Sequence, residues 1–208
     1  MIILGWILSL AGCLIEAGSL SNLWIVGALL GRTFLHTGLF IVAHDAMHGS
    51  LLPASIGLNH RVGRLALGLY GCLDYDHCLS NHQRHHASPA GSEDPDYHDG
   101  LCAHPLSWYI RFMRGYLSPL QMTVLIGTWA AGWLALRSTG SGLLASILLF
   151  WTLPLLLSSV QLFLFGTYLP HRGSMDTTDK PHQVGSLALP PLLSLVSCYH
   201  FGYHWEHH

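Results

Sequence analysis

The sequence predicts an all-α integral membrane protein, with about four transmembrane helices in two hairpins, interfacial helices and a histidine cluster on the cytoplasmic side. Half of the 208 residues are hydrophobic and only 10% are charged, whereas about a quarter are charged in a typical soluble domain. The chain also has 16 histidines, more than its nine lysines and arginines together. This composition indicates a membrane protein that binds metal.

Four apolar stretches approach the roughly 20 residues that a helix needs to cross a bilayer. They are residues 2–17, 20–43, 119–136 and 143–165. Short turns at 18–19 and 138–142 predict that they pair as two antiparallel hairpins. Two further apolar stretches, 56–73 and 187–196, are interrupted by polar residues or prolines and predict helices that do not cross.

Two hairpins place everything outside their tight turns on one side of the membrane. Seven basic residues fall on that side: Arg61, Arg64, Arg84, Arg111, Arg114, Arg172 and Lys180. Only Arg137 lies at a far turn. The positive-inside rule therefore predicts that this side is cytoplasmic. Since the sequence shows no repeat or linker, we expect residues 1–208 to form a single domain.

Other classes of protein are disfavoured by charge and cysteine content. The net charge is −2 without a basic block, and the five cysteines form no C-x-x-C pair. A nucleic-acid interface, a disulfide framework and a zinc ribbon are therefore not expected. The apolar composition instead makes membrane lipid an expected partner.

Histidines occur in three closely spaced boxes. The boxes are His44 and His48, then His82, His85 and His86, and finally His204, His207 and His208. Residues three or four apart share one face of a helix, so each box should direct its imidazoles the same way. The topology places all eight near one cytoplasmic point. His171, after the fourth span, and His200, one turn before His204, extend the set.

The number of histidines bears on the kind of metal. Imidazole binds zinc, copper, iron and nickel, so ligand type alone does not decide. Zinc sites use three or four protein ligands, and eight or more histidines therefore indicate two ions. No H-E-x-x-H zinc-protease pattern is present. A di-iron centre for oxygen chemistry is the favoured hypothesis, and a zinc-binding membrane transporter is the alternative outside the enzymes, although transporters usually place ligands near the midplane.

The order of the boxes, H-x3-H, H-x2-H-H and H-x2-H-H, is similar to that of membrane fatty-acid desaturases and related hydroxylases. Segments 43–49, 94–98, 168–172 and 201–208 more specifically resemble the bacterial and cyanobacterial carotenoid ketolases. The resemblance implies two non-haem iron ions as cofactor and O2 as co-substrate. It also implies that the eight box histidines are ligands, with His171 and His200 as additions. No catalytic residue is expected beyond the metal centre.

The resemblance further implies oxidation of the β-ionone ring of a lipid-dissolved carotenoid at C4 to a ketone, from β-carotene to echinenone and canthaxanthin. A carotenoid ring hydroxylase and a fatty-acyl desaturase are the alternatives. A reduced ferredoxin-like protein would supply electrons, because the sequence has no dinucleotide fingerprint. A bacterial inner or thylakoid membrane is the expected location. Relatives usually continue beyond the last histidine, so either the C-terminus is truncated or this chain is an unusual member of the family.

Side chains close to the boxes are candidates for supporting roles. Metal-bound histidines usually donate their second ring N–H to a carboxylate or carbonyl, and Asp45, Asn81 and Glu206 could accept or orient such contacts. The acidic run 93–96 is also available, with Glu93 expected on a solvated face. The expected substrate-binding residues are apolar or aromatic: Phe40, Met47, Phe165, Tyr168, Phe201 and Tyr203.

Overall fold

The computed structural model describes residues 1–16, 22–97, 103–138, 142–172 and 184–207, and all regular secondary structure there is helical. The helices are α1 (Ile2–Glu16), α2 (Asn22–Met47), α3 (Ile56–Gly71), α4 (Tyr75–Ala87), α5 (Pro105–Tyr116), α6 (Pro119–Leu136), α7 (Leu143–His171), α8 (Pro191–Cys198) and α9 (His204–His207). Helix α7 contains two π-helical segments, Leu148–Thr152 and Phe163–Tyr168. The all-α prediction is confirmed.

Three of the described helices, α2, α6 and α7, are long and apolar enough to cross a membrane. The first predicted span forms α1, which has 15 residues and is shorter than the roughly 20 that a crossing requires. The count of four spans is therefore not confirmed. Helix α3, with 16 residues, is not among the candidates, in keeping with the prediction that 56–73 does not cross. The predicted turn at 18–19 and residues 139–141 of the predicted turn at 138–142 lie outside the described residues.

The chain forms two compact units, each described here by itself. Unit 1 comprises Met1–Leu73 and Pro119–Ser159, and unit 2 comprises Asp74–Ser118 and Val160–His208.

In unit 1, the end of α2 that carries the first histidine box is tied to α3. Asn59 of α3 donates from Nδ2 to the carbonyl of Ala46 at 2.7 Å, and its Oδ1 accepts the amide of Leu52 at 3.1 Å. The same carbonyl also accepts the backbone amide of Gly49 at 3.1 Å, so the side-chain amide of Asn59 is its second donor. Asn59, which interrupts the apolar stretch in the sequence, therefore fixes the level at which α2 ends.

In unit 2, the core is aromatic. The buried side chains of Tyr97, Trp108 and Phe163 pack together, and the Tyr97 and Trp108 rings meet edge to face with centroids 5.5 Å apart. Helix α4 begins at Asp74, whose carboxylate accepts the amides of Asp76 and His77, a typical N-cap. These contacts hold the second histidine box on a regular helix, as its spacing predicted.

Candidate metal centre

Three buried histidines of unit 2 point their Nε2 atoms at one place. The Nε2 atom of His204 lies 3.0 Å from that of His171 and 3.4 Å from that of His85. The three come from α4, from the end of α7 and from the start of α9, so separate parts of the chain converge on this point. Their ligand atoms satisfy the distance requirement for a shared metal ion.

The spacing of these nitrogens fits an ion. Imidazole nitrogens about 2.1 Å from one metal, at angles between octahedral and tetrahedral, lie about 3.0 to 3.4 Å apart. The measured separations of 3.0 and 3.4 Å match that range. Three neutral imidazoles suit iron as well as zinc, copper and nickel. The donor set therefore fits a transition-metal ion of this group, iron included, and does not choose among them.

Asp94 fixes the orientation of one ligand. Both of its carboxylate oxygens lie 2.9 Å from Nδ1 of His85, so Nδ1 carries the proton and donates. The lone pair of Nε2 is then directed at the metal position. The same carboxylate accepts the backbone amides of Ala90 at 2.8 Å and Asp96 at 2.9 Å, which hold it in place.

The electrostatics of this pair favour a charged carboxylate beside the imidazole. Burial alone would raise the pKa of Asp94, but the hydrogen bond and charge of His85, together with the two backbone amides, lower it below its ordinary value. Burial likewise works against protonation of His85, yet the contacts with Asp94 and the charge of Asp96 raise the pKa of His85. Asp94 is thus an anion, which would balance part of the charge of a bound metal ion.

Helix α5 braces the loop that carries Asp94. The indole of Trp108 donates to the carbonyl of Asp96 at 2.8 Å, and the hydroxyl of Tyr116 donates to Oδ1 of Asp96 at 2.6 Å. Burial raises the pKa of Asp96 to about 6. The ring of Tyr97 also lies against His171, with centroids 6.3 Å apart. The loop is therefore fixed from two sides by the aromatic core.

A second group of histidines in unit 2 involves the remaining members of the same boxes. The Nε2 atoms of His86 and His207 are 3.0 Å apart. The ring of His82 lies 4.4 Å from that of His86 and 5.8 Å from that of His207, between centroids. The second box therefore does not act as one face: His85 joins the first group, and His82 and His86 join the second.

The first box lies in unit 1. The rings of His44 and His48 are 4.9 Å apart, close enough for both to face one position. Asp45 reaches Nδ1 of His44 at 3.7 Å, which is longer than a hydrogen bond. Its predicted supporting role thus rests on a charge contact.

The structure places other predicted site residues in different surroundings. His200 has a left-handed backbone, with φ of 65°, so α9 does not extend back to it, and its ring stacks on Tyr203. Asn81 contacts His77 and Arg84 rather than a box histidine. The carboxylate of Glu206 accepts the hydroxyl of Ser186. His208 lies outside the described residues.

The predicted substrate-binding residues lie in different surroundings. Phe201 packs against the rings of His204 and His207, at 5.9 and 6.0 Å between centroids, and so borders both histidine groups. Tyr168, in contrast, packs against the aromatic core, and the hydroxyl of Tyr203 donates to the carbonyl of Leu189. In unit 1, Phe40 packs against the ring of Tyr70. Met47 and Phe165 are half-buried.

Asp94 is the supporting residue that the sequence did not single out. It was one of several acids in the run 93–96, and the named candidates were instead adjacent to or within the boxes. The available signal was the acidic Asp94-Pro95-Asp96 segment, nine residues after His85, within a motif that carried the family resemblance. Its neighbour Glu93 is exposed, as expected.

An all-α fold with long apolar helices and histidine groups that could hold metal ions is typical of a membrane protein with a polyhistidine metal site. The family model described as fatty acid desaturase matches residues 20–137 and 118–208. The chain belongs to the fatty acid desaturase family.

Individual relatives narrow the comparison. The chain is 37% identical over 191 residues to the beta-carotene ketolase of Paracoccus sp. (strain N81106 / MBIC 01143), covering 88% of this chain and 73% of that protein. It is 39% identical over 184 residues to the beta-carotene ketolase of Paracoccus sp. (strain PC1), covering 86% and 72%. The zeaxanthin 4-ketolase of Chlamydomonas reinhardtii is 36% identical over 208 residues, covering 98% and 45%. No solved structure gives a significant match.

Proposed function

We propose that this chain catalyses the O2-dependent oxidation of the carotenoid β-ionone ring at C4 to a ketone, converting β-carotene to echinenone and canthaxanthin. The observation that carries the proposal is the convergence of His85, His171 and His204 on one position. The substrate is inferred from relatives named beta-carotene ketolase, which align with most of the chain. The reaction class is that of an oxygenase.

The proposed cofactor is a pair of iron ions. We assign His85, His171 and His204 to one ion and His82, His86 and His207 to the other. His44, His48 and His208 are proposed as further ligands because the family resemblance implies them. When bound, the irons would supply the activation of O2 and the oxidation of the same ring carbon, C4, in two successive rounds. The second round gives the hydrated form of the ketone, which loses water to leave the ketone.

The protein's own contribution is to orient the metal ligands and the substrate ring and to exclude water. Asp94 keeps the proton of His85 on Nδ1, so that Nε2 stays available to the metal. Phe201 covers the rings of His204 and His207 and limits the access of water on that side. Since C4 of the ring must be presented to the oxidant ahead of other carbons, apolar packing around the ring determines the position of attack.

Substrate and electrons would approach from different environments. A carotene is dissolved in lipid, so it would enter through the apolar surface, with Phe165 of α7 as a proposed contact. Electrons would come from a reduced ferredoxin-like protein on the cytoplasmic side. Arg84, Arg111 and Arg114 are exposed in unit 2, and their charge would suit an acidic donor.

The direct test is expression of the chain in cells that make β-carotene, followed by pigment analysis. We expect echinenone and canthaxanthin, and a matched His171→Ala variant should produce neither. Hydroxylated pigments without any ketone, from iron-loaded protein, would replace the proposal by a ring hydroxylase. Metal analysis of the same purified protein addresses the transporter alternative, which predicts one zinc and no iron.

A further inference from the structure

Unit 1 contains a groove between α1 and α2 that the proposed reaction does not use. It has a volume of about 560 Å³, and its walls are almost entirely apolar. The lining that matters here is Ser9 and Cys13 on α1 and Gly27, Ala28, Gly31 and Arg32 on α2. We call it the Arg32 groove, because Arg32 is its charged residue.

Arg32 is buried, with 1% of its surface exposed, and most of its donors are occupied. Its Nε donates to the carbonyl of Phe150 at 3.0 Å. Its Nη1 donates to the carbonyl of Trp6 at 2.6 Å and to the hydroxyl of Ser9 at 3.0 Å. Within the described part of the chain, Nη2 is buried and has no hydrogen-bond partner. A buried donor of this kind is costly to leave unsatisfied, which points to a ligand.

The guanidinium is held in position by a chain of contacts. It lies 4.7 Å from the ring centre of Trp6, whose indole N–H donates to Nδ1 of His36 at 3.0 Å. Because indole only donates, Nδ1 must accept, and the proton of His36 is therefore on Nε2. That Nε2 donates to the carbonyl of Tyr70 at 2.7 Å. Arg32 is thus preorganised rather than free to turn toward another partner.

The depth of Arg32 restricts the chemistry of the ligand. It lies ten residues after Asn22, where α2 begins, which corresponds to roughly 15 Å along the helix. That distance is about half of the hydrocarbon thickness of a bilayer, roughly 30 Å. Phosphate and ester oxygens of phospholipids lie at the boundary of the hydrocarbon and do not reach this level. The ligand must therefore carry an acceptor oxygen on an otherwise apolar molecule.

The shape of the groove leaves room for such a molecule. Gly27, Ala28 and Gly31 are spaced to lie on one face of α2. A Cβ atom added at Gly27 or Gly31 would meet nothing within 4 Å, so these glycines are not needed for close packing within the chain. The space beside them is open to an apolar chain or ring.

We propose that the Arg32 groove binds the ketone-bearing ring of an oxygenated carotenoid, with Nη2 of Arg32 donating a hydrogen bond to the ketone oxygen. This inference rests on the proposed function, which makes that ketone. The polyene would lie along the apolar walls. β-Carotene has no oxygen to accept the bond, so the groove distinguishes product from unoxidised substrate.

The test measures binding directly, without turnover. Purified, iron-loaded protein comprising residues 1–208 is titrated in detergent with canthaxanthin and with β-carotene, and the infrared C=O band of bound canthaxanthin is recorded. Gly27→Leu and Gly31→Leu fill the groove and leave the hydrogen bonds of Arg32 in place. These two variants therefore decide whether canthaxanthin binds in the groove. Gly127→Leu is the matched control, because Gly127 lies on α6 with open space around it and does not line the groove.

We expect the two groove variants to bind canthaxanthin at least about tenfold more weakly, as loss of a hydrogen bond to a charged donor implies. The hydrogen bond from Arg32 should lower the C=O frequency of canthaxanthin bound to the wild type. This lowering should disappear in the two groove variants, and Gly127→Leu should match the wild type. Arg32→Leu should also lose the frequency shift. Binding of β-carotene should not change in any variant.

Equal canthaxanthin affinity in wild type and both groove variants would overturn the groove assignment. So would displacement of canthaxanthin by a quinone at equal concentration, or a phospholipid found bound in its place by mass spectrometry. Failure of the proposed function is separate, since it appears as the absence of ketones in the pigment assay and does not alter these binding measurements.

Discussion

Asp94→Asn isolates the contribution of one carboxylate to the metal centre. In the folded protein both oxygens of Asp94 lie 2.9 Å from Nδ1 of His85. An amide keeps the size of the side chain but replaces one acceptor by a donor. If that donor faces Nδ1, the proton of His85 moves to Nε2, which can then no longer bind a metal.

Loss of such a supporting contact typically weakens metal binding by about 10- to 100-fold, which corresponds to about 1.4 to 2.8 kcal/mol. The assay is iron content per chain after equilibration with graded concentrations of a ferrous chelator. We expect the midpoint for Asp94→Asn to shift by that factor. Glu93→Gln is the control. It removes the same negative charge from the residue next to Asp94, and the side chain of Glu93 is exposed. A midpoint unchanged from wild type in Asp94→Asn would refute the reasoning.

Three further predictions test the site and its surroundings. His171→Ala should lose iron and ketone product, whereas His200→Ala should retain most of both; equal losses would show that His200 is a ligand after all. Gly166→Ala should lower the free energy of unfolding by about 1–3 kcal/mol, because a Cβ there would collide with Phe201. Thermal denaturation would show this, and adding Phe201→Leu should restore stability. Chelation of iron should lower Tm, since a ligand at 100 times its Kd stabilises the folded state by about 2.7 kcal/mol; an unchanged Tm would indicate that iron is not bound.

Much of the fold follows from length and apolar content. The stretch 119–136 forms α6 with the predicted bounds, and the later stretch forms α7 but continues to His171. The first stretch, predicted over 2–17, forms α1 over Ile2–Glu16, and residue 17 lies outside the described residues. Counting it as a span is what was not confirmed, because 15 residues are fewer than the roughly 20 that a crossing requires. The charge pattern predicted an orientation, which remains a prediction.

Supporting contacts were harder to predict than ligands because they depend on loops. His85 could be recognised from its spacing within a box, but its partner Asp94 belongs to a loop whose backbone turns the carboxylate inward. That turn depends on the amides of Ala90 and Asp96 and on donors from Trp108 and Tyr116 of α5. Proximity in sequence favoured Asn81 and Glu206 instead, and both have other partners.

The division of the second box follows from helix geometry. Successive residues of an α-helix are rotated by about 100°, so His86 lies about 40° to one side of His82 and His85 about 60° to the other. His85 and His86 therefore diverge by about 100°, too much for both to serve one ion from the same helix. Treating three- and four-residue spacings as one face hid this difference. An H-x2-H-H box on a straight helix instead directs its histidines to two different positions, which would suit the proposed two-iron site.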